Sequence, residues 1–492
     1  MSGAEGFSRR AVLAGAVAIG AGAGSARGAS LSTDMDTLRV SPAQAPGVAA
    51  FRGIRYARAQ RFCAPVPVVG VEQTADGQFG PACPQPDGRY QPQGEDCLFL
   101  NVWAPTSAAA APRAVMVYIH GGAYSNGSVT DPLNDGARLA AGGDVVVVTV
   151  NHRLNVFGYL YLPDLFPDSG NAGQLDLVAA LQWVQSHIAR FGGDPGNVTL
   201  FGQSGGGAKI ATLMAMPEAS GLFHKAITMS GQQVTASGPL HARQRARAFI
   251  ERLGTDPARA PAEALVAALA ARDPVMGGGL YMGPVLDMRH LLRHPFWPDP
   301  APEGRAIPML LGNTVAESRA FFPADHPLLR GLDWGNLAQR AGPELKVDID
   351  PQWVVNQFRA RYPADTPEKI FHRMITAGRS WRGQVEEAEA RVRAGCTATW
   401  VYQLDFEAAK HTDDIGLAFG TSAAESPARG AMSAEVMAAF VRFARTGVPG
   451  WAPYDLARRQ TMLFDRPSRV VDNPRGWERE LFARVPYIQP GS

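Results

Sequence analysis

The chain has 492 residues, 46% of them apolar, so it can bury a large core and fits either one big α/β domain or two smaller ones. Its formal net charge is only +2 and no basic cluster stands out, which leaves nothing to recruit nucleic acid or an anionic membrane by charge. Four cysteines are too few for a disulfide scaffold, and their spacing matches no zinc or redox motif.

In chain order, Ser8-Arg9-Arg10 precedes an uncharged, weakly apolar run from Ala11 to Ala26 and then Arg27. This reads as an export signal of the twin-arginine type over residues 1–29, with the mature chain starting near Arg27 to Leu31. The apolar run is about sixteen residues, short of the ~20 that a spanning helix needs. No later segment is long and apolar enough to cross a bilayer, so the expected destination is a periplasm or the outside of the cell. Export makes one disulfide plausible. Cys83 and Cys97 bracket a polar loop that such a bridge could staple, while Cys63 and Cys396 lie far apart without obvious partners. The alternative leaves all four as thiols.

Val115 to Ile119 and Asp144 to Val150 are continuous apolar runs of strand length, the mark of strands buried on both faces. Leu177, Leu181, Val184 and Ile188 share one face of a helix that ends before Gly192-Gly193. Val198 to Phe201 is again a strand, and helix resumes at Gly205. This alternation predicts βαβ units around a mostly parallel sheet. Ala- and Arg-rich helical stretches from about Gln232 to Met282 and from about Leu337 to Arg393 read as insertions above the sheet. Two further strands are expected at Pro308 to Leu311 and Thr399 to Asp405. Ser433 to Arg445 reads as a helix with Ser433 as N-cap and Gly447 just past its end. With no internal repeat and no linker, one domain over 30–492 is the better reading.

Gly202-Gln203-Ser204-Gly205-Gly206 is a G-x-S-x-G between a strand and a helix, the setting of a nucleophile elbow. A phosphate cradle is the competing use of such a turn, but no Walker Lys-Ser/Thr pair and no dinucleotide G-x-G-x-x-G accompanies it. Upstream, His120-Gly121-Gly122-Ala123 follows a buried strand, where an oxyanion loop belongs; the expected donors are the amides of Gly122, Ala123 and Gly205. A weakly nucleophilic hydroxyl needs a base, and the base an orienting acid. Two downstream loops at strand ends carry one of each, Glu317 in Gly312 to Arg319 and His411 in His411 to Ile415. Their order, nucleophile then acid then base, is that of α/β-hydrolases.

At this point the chain resembles the type-B carboxylesterase family, the cholinesterase-like branch that includes bacterial para-nitrobenzyl esterases. Phe51 to Ala57 (FRGIRYA) is similar to the family's F-x-G-I-P-Y-A, and Glu95 to Val102 (EDCLFLNV) to its E-D-C-L-x-L-N-V. Asn151 to Leu160, Phe191 to Pro195 and Gly221 to Gly231 match as well. The resemblance implies an α/β-hydrolase fold and a serine carboxylesterase with Ser204 as nucleophile, Glu317 as acid and His411 as base. It further implies an acyl-enzyme route that needs no metal or cofactor, short- to medium-chain esters as substrates, and a Cys83–Cys97 disulfide. Four positions depart from the pattern: Gly205 replaces an alanine, Ala123 a common third glycine, Arg55 a proline, and Glu317 precedes Ser-Arg rather than Gly. A choline-ester specialist is disfavoured, because the Cys83–Cys97 loop holds no Trp and only Tyr90. Rival readings are a binding protein on the same fold and hydrolysis of amides, carbamates or thioesters by the same triad. Nothing in the sequence sets the oligomeric state.

Overall fold

The computed structural model describes residues 38–489 and 491, so the expected export signal and its cleavage site lie outside the described residues. One eleven-stranded sheet organises the chain. Its strands are β1 (Val48–Arg58), β2 (Val66–Gln73), β3 (Phe99–Pro105), β4 (Arg113–Ile119), β5 (Val146–Val150) and β6 (Gly193–Gln203) in the first half. The second half supplies β7 (Lys225–Met229), β8 (Met309–Thr314), β9 (Thr399–Leu404), β10 (Gln460–Phe464) and β11 (Arg469–Asp472). The order across the sheet is β11-β10-β9-β8-β7-β6-β4-β5-β3-β1-β2. From β5 to β10 every neighbouring pair is parallel, and the two margins are closed by antiparallel strands.

The continuous apolar runs follow from cover on both faces. Along β4, Val115, Val117 and Ile119 enter the same core as Leu177, Leu181, Val184 and Ile210, whereas Met116 and Tyr118 enter the opposite one with Leu139, Phe440 and Phe443. The period of two therefore sorts one strand into two cores, and each large side chain buried this way contributes about 1.5–3 kcal/mol. The expected helix occupies Ala172–His187 and tightens into a 3-10 turn at Ile188–Phe191 before Gly192.

Several boundaries differ from expectation: β6 runs from Gly193 to Gln203, longer than the expected Val198 to Phe201, and β9 ends at Leu404, one residue early. Asp144 is the left-handed end of the helix Ala137–Gly143 (φ 43°) and the strand begins at Val146. Pro308 has no N–H to give to the ladder, and β8 begins at Met309. The C-terminal helix starts at Pro427 and runs to Thr446, capped by Ser426, whose hydroxyl accepts from the Arg429 amide at 3.1 Å. Ser433 is thus interior, and its hydroxyl donates to the Leu417 carbonyl at 2.8 Å. The insertions are helical as expected, at Pro239–Leu253 and Ala262–Ala268 and again at Leu337–Leu345, Pro351–Arg361, Pro367–Ile375 and Arg382–Arg393. The second of them builds a separate core around Leu337, Phe358 and Phe371, completed by Phe482 of the helix Gly476–Phe482. Among the described residues no helix is long and apolar enough to cross a membrane.

Register gathers the chemistry at one edge. Ile119 pairs with Gly202, Gln203 with Met229, Met229 with Gly312, and Thr314 with Leu404. The loops carrying the expected oxyanion donors, nucleophile, acid and base thus all leave the carboxyl ends of adjacent parallel strands, where ligands bind in open α/β sheets.

Candidate active site

At the end of β6 the chain turns sharply into the helix Gly205–Leu213, and Ser204 takes φ 55°, ψ −125° at the turn. Left-handed backbone at a non-glycine residue is strained and persists only where its surroundings hold it. Here the Ser204 amide donates to the Met229 carbonyl at 2.7 Å. Crossing is so close that a Cβ on Gly206 would stand 1.9 Å from the Ile119 carbonyl oxygen. The half-buried Ser204 hydroxyl emerges at the N-terminus of the helix.

The structure brings the three expected side chains together. Ser204 Oγ lies 2.7 Å from His411 Nε2, and His411 Nδ1 is hydrogen-bonded to Glu317 Oε2. Glu317 is fully buried, and its other oxygen accepts from the Thr314 amide at 2.7 Å and from the Ser230 hydroxyl at 2.6 Å. Both carboxylate oxygens are therefore engaged, which fixes the orientation of the group that orients the histidine. His411 is held from behind as well, for the Gln203 side-chain amide donates to its carbonyl, and the Phe321 ring packs 4.6 Å from the imidazole.

A second carboxyl stands near this pair. Asp414 is buried, and its pKa is raised well above the ordinary value, first by burial and then by the charge of Glu317. Glu317 meets donors from the Thr314 amide and the Ser230 hydroxyl, and its charge is one of the causes that hold the Asp414 carboxyl toward its neutral form.

The loop from His120 to Ala123 lies against the elbow. Gly122 has φ 90° and Ala123 φ 52°. The Gly122 carbonyl accepts from the amides of Ser125 and Asn126, each at 3.1 Å, and the Tyr124 carbonyl from the Asn155 amide at 2.6 Å. Among the described residues the amides of Gly122, Ala123 and Gly205 meet no acceptor within the chain, which leaves them available to a substrate oxygen. His120 and His152 stack with ring centroids 4.6 Å apart beneath the loop. Burial, then the charge of Lys209, lowers His120 to about 3, and burial likewise lowers His152, so both are neutral imidazoles at pH 7 and neither competes as an ion with His411.

Sequence reasoning missed Ser230, the Gln203 side chain, Lys209 and Asp414. Asp414 stood in the loop chosen for His411, and Ser230 in the stretch Gly221 to Gly231, yet nothing in the sequence gave either a partner. Arg55, in place of a proline, pairs with Asp96 (Nη2 to Oδ2 2.8 Å) and lies 4.4 Å over the Phe99 ring, so it joins the two sequence signatures to each other. Tyr90 donates to Asp131 at 2.8 Å. The four cysteines are free thiols here; Cys83 and Cys97 are buried neighbours, and their mutual hydrogen bond and then burial raise Cys97 well above its ordinary pKa.

A strained serine at a strand-to-helix turn, hydrogen-bonded to a histidine and through it to a buried glutamate, is the arrangement of a serine hydrolase. The profile of the Carboxylesterase family matches residues 36–478. The chain belongs to the carboxylesterase family. The para-nitrobenzyl esterase of Bacillus subtilis is 33% identical to this carboxylesterase, over 88% of the chain and 94% of that protein. The crystal structure of the Geobacillus stearothermophilus carboxylesterase Est55 superposes with a TM-score of 0.77 at 33% identity, covering 89% of this chain and 97% of that one. An esterase from Clostridium hathewayi, described as able to hydrolyse aliphatic aromatic polyesters, superposes with a TM-score of 0.71 at 32% identity over 92% and 99% of the two chains. The carboxylesterase thus shares the α/β-hydrolase fold and hydrolyses carboxylic esters.

Proposed function

We propose that Ser204, His411 and Glu317 are the catalytic triad of this carboxylesterase, with the amides of Gly122, Ala123 and Gly205 as its oxyanion hole, and that it acts on short- to medium-chain esters. The continuous hydrogen-bonded line from Ser204 Oγ through His411 to Glu317, 2.7 Å at its first link, carries the assignment. His411 Nε2 takes the hydroxyl proton as Oγ adds to the ester carbonyl, while Glu317 steadies the imidazolium and the three amides receive the oxyanion. Collapse of the tetrahedral adduct expels the alcohol, protonated by His411. Water, deprotonated by the same imidazole, then cleaves the acyl-serine and restores the hydroxyl.

Hydrolysis of para-nitrophenyl acetate, butyrate and a long-chain ester by the purified protein, beside Ser204→Ala, tests this. Turnover of the two shorter esters is expected, with kcat reduced by on the order of 10⁴-fold or more in the variant. Equal turnover by Ser204→Ala would exclude Ser204 as nucleophile, and a preference for the long-chain ester would overturn the chain-length assignment.

We also propose that the chain is exported through the leader at 1–29 and then closes a Cys83–Cys97 bridge. The twin arginines support the first step, and the neighbouring buried thiols the second. The intact mass of protein recovered from outside the cytoplasm is expected to lack the leader and to fall short of the reduced mass by about two hydrogens for the one bridge. A full-length chain, or one that takes up two alkylating groups at Cys83 and Cys97 after denaturation without reductant, would overturn the corresponding step.

A further inference from the structure

Lys209 is a buried cation that the triad does not use. It lies on the helix that begins at Gly205, its residue has no exposed surface, and it makes no ion pair among the described residues. Burying an ammonium without a counter-charge is costly. Its Nζ is aimed at the oxyanion loop instead: it donates to the Ala123 carbonyl at 2.8 Å and the His120 carbonyl at 3.4 Å, and it stands 5.3 Å from the centre of the Tyr124 ring. Two carbonyls of that loop and the ring of the residue that follows it are therefore held by one ammonium.

The consequence for chemistry comes through the Ala123 carbonyl. Ala123 has a left-handed φ of 52°, which a β-carbon disfavours and the surroundings must maintain. Its own N–H is one of the proposed donors to the substrate oxygen, and a cation on its carbonyl fixes the peptide that follows. An error of a few tenths of an ångström in an oxyanion donor is felt in the transition state far more than in the ground state, because full charge develops only there.

We propose that Lys209 is a positioning residue of the oxyanion hole, whose ammonium holds the His120–Ala123 loop in its catalytic shape and relaxes that hold on losing its proton. The proposal rests on the triad assignment above. Burial lowers the Lys209 pKa to about 7. The titratable groups facing it are His120 and His152, lowered by burial and by its charge, and Tyr124, raised well above its ordinary value by burial. Those three stay neutral at pH 7, so proton loss in this cluster falls to Lys209. A neutral amine keeps donors for both carbonyls, but a charge-assisted hydrogen bond is roughly twice as strong as a neutral one.

The test is the pH profile of kcat and KM for para-nitrophenyl butyrate between pH 5.5 and 9.5, for the wild type, Lys209→Gln and Lys209→Met. In the wild type kcat is expected to fall on the alkaline side, with a midpoint near neutral pH. Both variants are expected to lose that alkaline limb, with KM within about twofold and maximal kcat reduced about tenfold. Lys209→Gln, which keeps a donor, should retain more than Lys209→Met. Variants with wild-type kcat and an unchanged alkaline limb would overturn the proposal while leaving the triad intact, whereas a wild type with no esterase turnover would remove the triad reading itself. If neither variant folds, the wild-type profile decides, since a kcat that stays level from pH 7 to 9.5 is incompatible with a hold that depends on the proton.

Discussion

Two departures from the family pattern, Gly205 and Ala123, are one structural fact. A Cβ on Gly205 would lie 2.0 Å from the Ala123 carbonyl oxygen and 2.5 Å from its Cα, and that carbonyl is tethered by Lys209. Alanine at 205 therefore cannot be housed by a side-chain movement; the loop that bears the oxyanion donors has to shift. Gly205→Ala is expected to lower kcat about 100-fold with KM little changed. The second substitution Ala123→Gly frees the left-handed residue to readjust, so the double variant should recover at least tenfold over the single one, a coupling that independent sites do not show. Steady-state kinetics of the two singles and the double decide it, and Gly205→Ala within twofold of wild-type kcat would disprove the clash. At this scale the meeting of Ser204, His411 and Glu317 was legible from the sequence because each sits at a strand end in a fixed order. Ser230 was not legible, since it reaches Glu317 only through the neighbouring placement of β7 and β8, where the Ser230 amide donates to the Gly312 carbonyl at 2.7 Å. Lys209 was equally silent, because a lysine four residues into a helix ordinarily reads as solvent-facing.

Among the elements, those buried on both faces were the readable ones. β4 and β5 read as apolar runs because helices cover the sheet on either side. The marginal strands had no such signal: β2 and β11 are mostly exposed or half-buried, and their pairing is set by antiparallel neighbours distant in pattern, not by their own apolar content. The misplaced cap of the C-terminal helix has a similar cause. Ser426-Pro427 is the better start on capping grounds, with proline at the first helical position, although Gly430 in the next turn is a poor helix former. Packing decides otherwise, for Gly430 passes so near the preceding loop that a Cβ would stand 2.9 Å from the Ala423 carbonyl oxygen, and Met432, two residues on, is buried.

At the scale of the whole molecule the two helical insertions and the C-terminal tail converge behind the oxyanion loop. The Tyr124 hydroxyl donates to Gln233 Oε1 at 2.9 Å, the Gln233 amide donates to Glu387 Oε1 at 2.6 Å, and the adjacent Val234 amide donates to Gln489 Oε1 at 2.9 Å. Glu387 sits at the centre of this meeting with no exposed surface, and burial raises its pKa to about 8 against the lowering effects of the Gln233 amide and Arg391. In the unfolded chain the same carboxyl loses its proton near pH 4.3, so between about pH 4 and pH 8 the folded protein binds more protons than the unfolded one. The contribution of Glu387 to stability is therefore fully present below that window and declines as pH rises through it. Glu387→Gln keeps an acceptor for the Gln233 amide and has no proton to lose, so whatever fixed cost its amide brings, its stability relative to wild type must improve with pH. Urea unfolding of both proteins at pH 5, 6.5 and 8 is expected to show the variant gaining on wild type by on the order of 1–3 kcal/mol across that range. A difference that stays constant would mean that Glu387 is already ionised in the folded state at pH 5, and that the junction of insertions and tail holds a charge instead of a proton.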